Sequence, residues 1–322
     1  MKTVFSGIQP SGSVHLGNIL GALINWKRMQ TEYNCYYCIV DLHSLTAFPD
    51  KALLERDKLD TVKSLLAVGI NSDKSIIYFQ SELSHHAELS WILSNFCQIG
   101  ELQRMTQYKD KSESFGTHAG LFTYPVLMAA DILIHKADEV PVGDDQTQHL
   151  ELTRDIAMRF NKKYKDIFPV PYPNSTRTGA RVMSLRHPES KMSKSSHDLS
   201  GTIYITDDDS EIIKKVKTSV TDSENKVSFN KQKKPGLSNL LEILASITDV
   251  SIEKVVKDVS GMQYGDLKMH VAEQLIVFMT PIREEYLSLT DSKILEVTEL
   301  GKDKARITAD RTLIEVKNCL GI

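Results

Sequence analysis

The stretch from Val4 to Met29 constrains the chain most. An apolar, β-prone start, Val4-Phe5, runs into Ser6-Gly7-Ile8-Gln9-Pro10-Ser11-Gly12-Ser13-Val14-His15-Leu16-Gly17-Asn18, after which Ile19, Leu20, Leu23, Ile24, Trp26 and Met29 recur at helical spacing. That order predicts a strand, a glycine-rich loop and a helix start. Gly17 falls at or inside the first helical turn, where unpaired N–H groups and the positive dipole end favour an anion. Gly17 and Gly21 share a helix face, which would let a phosphate or a flat ring approach the backbone; close helix-on-sheet packing would use the same glycines.

Further β-prone segments at Tyr36 to Val40, Ile76 to Phe79 and Val140 to Val142 alternate with helical stretches, which implies a parallel sheet covered on both faces. Ligands of such sheets bind past the carboxyl ends of the strands, and the His15 loop, His43, Gln80 and Gly143 all follow an expected strand end. After Ser195 the pattern turns helical, with Leu240, Leu241, Ile243, Leu244 and Ile247 spaced for one apolar face and Pro235-Gly236 read as a turn.

Two familiar nucleotide motifs are excluded. Gly12 and Gly17 have the spacing of a P-loop, but Asn18-Ile19 stands where Lys and Ser or Thr are required, and no GxGxxG follows the first strand. A different candidate for meeting phosphate, which on composition alone would equally be a solvated loop, lies far downstream. Lys191-Met192-Ser193-Lys194-Ser195 sets two cations and two hydroxyls in five residues after the turn at His187-Pro188, a mixture suited to closing on a polyphosphate.

His15-Leu16-Gly17-Asn18 together with Lys191 to Ser195 resembles the paired motifs of the class I aminoacyl-tRNA synthetases. The segments Phe5 to Gly12, Ile99 to Gln107, Met128 to Leu133, Pro141 to Gln146 and Gly179 to Leu185 are similar to the bacterial tryptophanyl branch, and the likeness runs nearly end to end. Asn18 replaces the second His of the general class motif, as is usual in that branch. The resemblance implies an α/β fold: a Rossmann-like, doubly wound catalytic domain over residues 1–182, a smaller helical anticodon-binding domain over 183–287 that begins with the lysine loop, and a final helix, 293–322, returning to the first domain.

The implied reaction is activation of L-tryptophan by ATP, with loss of pyrophosphate, and transfer to the terminal adenosine of tRNA(Trp). No covalent enzyme intermediate is needed, so positioning and charge stabilisation carry the catalysis. Lys111, Lys191 and Lys194, with Ser193 and Ser195, are expected to meet the departing phosphates. Gln9, Pro10, Ser11, Gly17, Asn18, Gly21, Gly143, Asp144, Asp145, Val182 and Met192 are expected around ATP. Magnesium should arrive with the nucleotide, because no cluster has the spacing of a protein-built metal site.

Amino-acid choice is expected to rest on Asp131, a carboxylate inside the otherwise apolar run Leu127 to Ile134. Burial there is costly without a donor, which an indole N–H would supply; a neighbouring side chain could equally satisfy it. Phe5, Gly7, Met128, Val140 and Val142 would form the walls, with Tyr124 and Gln146 nearby. His43 has either an orienting or a structural role, as do Asp41 and Gln107. A pocket that hydrogen-bonds its substrate rejects analogues lacking the donor, so no editing domain is expected.

Composition agrees without deciding. The 322 residues suit two domains, and a net charge of −3 argues against a protein that coats nucleic acid, DNA included, so contact with tRNA should be local. Lys162, Lys163 and Lys165, then Lys214, Lys215 and Lys217, then Lys231, Lys233 and Lys234 are candidate patches or solvated faces. Cys35-Tyr36-Tyr37-Cys38 has a metal-site or redox spacing, but it lacks a second close pair and reads as a buried strand. No long apolar run or leader is evident, so a cytoplasmic protein is expected, with no membrane contact. The resemblance also implies a homodimer.

Overall fold

The computed structural model describes residues 1–143, 146–174, 181–193 and 199–322, without the side chains at 110, 111, 114 and 115. Five strands, β1 (Thr3–Ile8), β2 (Asn34–Ile39), β3 (Ser75–Phe79), β4 (Glu139–Val140) and β5 (Tyr172–Pro173), form one sheet in the order β3-β2-β1-β4-β5. Every ladder is parallel. The order reverses between β1 and β4, and the crevice beyond their carboxyl ends is where a doubly wound sheet receives its ligand.

Two strands depart from the sequence reading. The expected strand at Val140 to Val142 is observed as Glu139–Val140, because Pro141 has no N–H with which to continue the ladder. β5 was not expected, since Pro171 and Pro173 interrupt any strand pattern there; only an edge strand tolerates them.

One face of the sheet packs Val4, Tyr37 and Ile39 against Leu16, Ile19, Leu23 and Trp26, the apolar stripe read from the sequence. The Trp26 and Tyr37 rings stack 4.9 Å apart, and the Tyr37 hydroxyl donates to the Trp26 carbonyl at 2.7 Å. The same strand buries Cys35 and Cys38 as free thiols. Fully burying side chains of this size stabilises by about 1.5–3 kcal/mol each, so the stripe holds the helix start firmly under the crevice.

Beyond the lysine loop come the helices Asp209–Lys217, Pro235–Thr248, Ile252–Asp258 and Tyr264–Ser288. Pro235-Gly236 is not a turn. Pro235 opens a helix, where its missing N–H costs nothing, and Leu240, Leu241, Ile243 and Leu244 are buried on that helix as the spacing required. Asn239 on the same helix grips Met183, accepting from its N–H at 2.8 Å and donating to its carbonyl at 2.9 Å. The last helix, Asp291–Leu320, lies against β3 so closely that a Cβ on Gly301 would sit 1.8 Å from the Ile77 carbonyl oxygen. Among the described residues no helix is long and apolar enough to cross a membrane.

Candidate active site at the sheet switch point

β1 delivers the chain into the crevice. Gln9 and Ser11 are exposed there, Pro10 is buried, and Gly12 takes a left-handed φ of 74°. The Gly12 N–H donates to Asp57 Oδ2 at 2.5 Å, so a carboxylate on the Lys51–Val68 helix braces the loop from below. The Asn18 side chain accepts from the His15 N–H at 3.2 Å and fixes the first turn. Gly17 lies in that turn. Immediately afterwards, across Ile19–Leu23 and therefore around Gly21, the helix widens, with the Ile24 N–H reaching back five residues to the Ile19 carbonyl.

The second stretch expected to meet phosphate comes to the same place. Met192 is buried, and its Cβ lies 3.5 Å from the position a Cβ on Gly17 would take. Residues 182–193 form a short hairpin, with the Met192 N–H donating to the Val182 carbonyl at 3.0 Å and the Ser184 N–H to the Ser190 carbonyl at 2.9 Å. The Ser193 carbonyl accepts from the Thr202 hydroxyl at 3.3 Å, and Lys191 is exposed. The segment after the loop then crosses the N-terminal one: Leu16 N–H donates to Ile203 O at 2.8 Å and Ile205 N–H to Val14 O at 3.0 Å. Tyr204 packs edge-on to His15. Gly143, past β4, is exposed, and its carbonyl accepts from the Gln146 N–H at 3.0 Å. Asp144, Asp145, Lys194, Ser195 and the side chain of Lys111 lie outside the described residues, as do Gly179 and Ala180.

On the other face of the sheet, Phe5, Val140 and Val142 belong to one buried apolar cluster, with Met128 packed on it. Gly7 is exposed at the end of β1, and a Cβ there would meet Val40 Cγ1 at 3.0 Å. Asp131, 1% exposed, projects from the Ala119–Ile134 helix. Its Oδ2 is 2.8 Å from His43 Nε2, and its Oδ1 accepts from Gln80 Nε2 at 2.7 Å. The Gln80 amide is oriented by the Leu42 N–H, which donates to Oε1 at 3.1 Å. His86 Nδ1 lies 2.8 Å from Oδ1, in an ion-pair contact that is not in line for a hydrogen bond. Burial pushes the Asp131 carboxyl up, yet the close contacts of the His43 and His86 rings outweigh it and hold the group below the usual carboxylate range.

A carboxylate has about four acceptor directions, and the contacts of Asp131 to described residues engage Oδ2 only once, so it can accept one more donor. The neighbouring-side-chain reading of Asp131 is therefore the arrangement observed, and it leaves the substrate reading open. Tyr124 stands edge-on to His43, its hydroxyl 2.6 Å from His149 Nε2 and donating to Gln107 Oε1 at 3.1 Å. Gln80, His86 and His149 escaped the sequence reading as members of this site; Gln80 was placed only as following a strand end. Asp41 serves structure, accepting from the Ser81 N–H and hydroxyl and pairing with Lys58 at 2.6 Å. Among the described residues no group of three or more His, Cys, Asp or Glu could hold a metal ion.

A doubly wound parallel sheet with a backbone cradle at its switch point defines a nucleotide-binding α/β enzyme. Residues 1–280 match the family of tRNA synthetases class I (W and Y). The tryptophan–tRNA ligase of Oceanobacillus iheyensis is 47% identical, with all of this chain and 99% of the relative covered. That of Caldanaerobacter subterraneus is 43% identical over all of this chain and 99% of its own. Among solved structures, tryptophanyl-tRNA synthetase from Mycoplasma pneumoniae superposes with a TM-score of 0.89 at 35% identity, covering 100% of this chain and 98% of that one. The Campylobacter jejuni enzyme, complexed with ADP and tryptophan, gives 0.84 at 32% identity over 99% and 100% of the two chains. The chain belongs to the class I tRNA synthetases of the tryptophanyl and tyrosyl family, and the relatives it resembles here are bacterial tryptophan–tRNA ligases.

Proposed function

We infer that this chain is a ligase that activates L-tryptophan with ATP to tryptophanyl-adenylate and pyrophosphate, then transfers tryptophan to the 3′-terminal adenosine of tRNA(Trp). The observation that carries the reading is the meeting of Gly17 and Met192, two stretches far apart in sequence, past the end of β1, with the buried carboxylate of Asp131 on the other face of the same sheet. Gln9, Pro10, Ser11, Gly17, Asn18, Gly21, Gly143, Asp144, Asp145 and Val182 hold ATP in this proposal, with backbone N–H groups facing the phosphates. Lys111, Lys191 and Lys194, with Ser193 and Ser195, stabilise the charge that builds on the pyrophosphate. Magnesium enters with the nucleotide and neutralises phosphate oxygens.

Tryptophan lies over Gly7, between Phe5, Met128, Val140 and Val142, its indole N–H given to the open acceptor direction of Asp131. His43, Tyr124 and Gln146 line the remaining side. Residues 183–287 form the anticodon-binding domain, and residues 293–322 belong with 1–182. For tRNA contact, the exposed Lys162, Lys163 and Lys165 are the favoured patch. Lys215 and Lys231 are engaged by Asp207 and Glu242, and Lys234 by Asp222 and Glu224. The working form is a cytoplasmic homodimer. Support for the dimer is the apolar cleft of about 490 Å³ flanked by Leu45, Phe48 and Trp91, all exposed.

The test is aminoacylation with purified tRNA, ATP and magnesium, offering each of the twenty amino acids separately. Charging with tryptophan alone is expected; charging with tyrosine alone would move the chain to the sibling specificity.

A further inference from the structure

The helix proposed to bring Lys111 to the phosphates is thinly held. It spans Thr106–Phe115, and none of its described side chains is buried. Among those side chains the one large apolar anchor is Tyr108, whose ring stands edge-on to Phe122 at 5.2 Å. A helix of this length is marginal in water by itself, so its place depends on what fastens it. Its own sequence supplies no fastening at the start: Met105 occupies the capping position without an acceptor, and no acidic residue follows in the first turn.

The cap comes from another helix. Gln148, in the first turn of Thr147–Lys163, accepts at Oε1 from the Thr106 N–H at 3.0 Å and from the Thr106 hydroxyl at 3.2 Å. Its Nε2 donates to the Arg104 carbonyl at 3.2 Å. The amide can sit only this way round, because a peptide N–H only donates and a peptide carbonyl only accepts. The next residue, His149, places Nε2 2.6 Å from the Tyr124 hydroxyl, and Tyr124 donates in turn to Gln107 Oε1 at 3.1 Å. One helix start therefore holds two other helices, the Thr106–Phe115 helix through Gln148 and the Ala119–Ile134 helix through His149. Leading straight into that start is the turn closed by the Gln146 N–H on the Gly143 carbonyl, the turn proposed to hold ATP.

We propose that Gln148 is a positioning residue for adenylate formation: by capping the Thr106–Phe115 helix from outside, it fixes the backbone that carries Lys111 relative to the nucleotide turn. The inference rests on the proposed role of Lys111 at the departing pyrophosphate. From Thr106 to Lys111 the helix rises about 7.5 Å, so a start left loose is felt at the lysine. Misplacing a reacting group by about 1 Å can cost a rate on the order of 100-fold. Gln148 acts through Thr106 and the helix that Thr106 opens.

The test uses full-length protein, single-turnover adenylate formation at saturating ATP and tryptophan, and thermal unfolding of each variant. Gln148→Met fills the same space without the amide and should slow the turnover about tenfold or more. The KM for tryptophan should change little, because His149 still holds Tyr124. Gln148→Glu keeps an acceptor for the Thr106 N–H, with a charge that suits a helix start, and should run within about threefold of the parent. In a Lys111→Ala background, itself slowed, Gln148→Met should add no further loss, since two changes that act through one group do not add. Parent-like turnover in Gln148→Met, whatever its melting temperature, overturns the proposal. So do equal losses in Gln148→Met and Gln148→Glu, or losses that multiply in the double variant. Parent-like turnover in Lys111→Ala overturns it from beneath, by removing that lysine from the phosphates.

Discussion

Asp131 is settled by its neighbours and still has an acceptor direction that the proposed tryptophan can use. Asp131→Asn keeps the size and loses the charge, and it is expected to lower the discrimination of tryptophan from phenylalanine by at least about tenfold in pyrophosphate exchange. An unchanged ratio would remove Asp131 from the reader's role. Lys194→Ala should slow adenylate formation in a single turnover by about 100-fold or more, as loss of a preorganised charge partner does, while tryptophan affinity holds. Asp57 gives a subtler test, since it accepts from the Gly12 N–H in the loop proposed to hold the nucleotide. Asp57→Ala should raise the KM for ATP by roughly tenfold and leave that for tryptophan unchanged, with Asp57→Asn, still an acceptor, close to the parent. Asp131 itself was legible because a carboxylate in an apolar helical run is conspicuous. Its partners Gln80 and His86 were not, because each sits in an ordinary local pattern and only tertiary folding brings it to the carboxylate.

At the scale of elements, the strand, loop and helix that open the chain could be read directly, since apolar spacing and glycines agree there. The far edge of the sheet could be read only in part. β4 was expected at Val140 to Val142 and is stopped short by Pro141, while β5, two residues set among prolines, carries no pattern long enough to recognise. Pro235 misled for a related reason: Pro-Gly is a turn signal, yet proline is equally at home in the first position of a helix. The contact of the last helix with β3 has its own test. Gly301→Ala cannot be accommodated without moving that helix away from the Ile77 carbonyl, and it is expected to destabilise the fold by about 1–3 kcal/mol in urea unfolding. The Michaelis constants should stay near those of the parent below the transition, because Gly301 touches neither crevice wall.

Across the whole molecule, the family resemblance extends over the full length, but the proposed dimer has no motif of its own and its contact is sought on the surface. Phe48 and Trp91, 73% and 77% exposed, flank one apolar cleft. Trp91→Glu is expected to shift sedimentation from dimer to monomer and to depress aminoacylation while the thermal transition of the chain moves by only a few degrees. A variant that sediments as the parent would place the dimer contact elsewhere. The candidate site likewise belongs to the whole chain, since the two stretches proposed to meet phosphate are separated by more than half the sequence and are joined through the main chain at residues 14–16 and 203–205. Because those fastenings are peptide groups, they are indifferent to which side chains heredity supplies. Ile203 and Ile205 are fully buried, so apolar side chains of similar volume can replace one another there without loosening the knot, whereas proline at 205, which abolishes the amide hydrogen given to Val14, would cut one of its two threads.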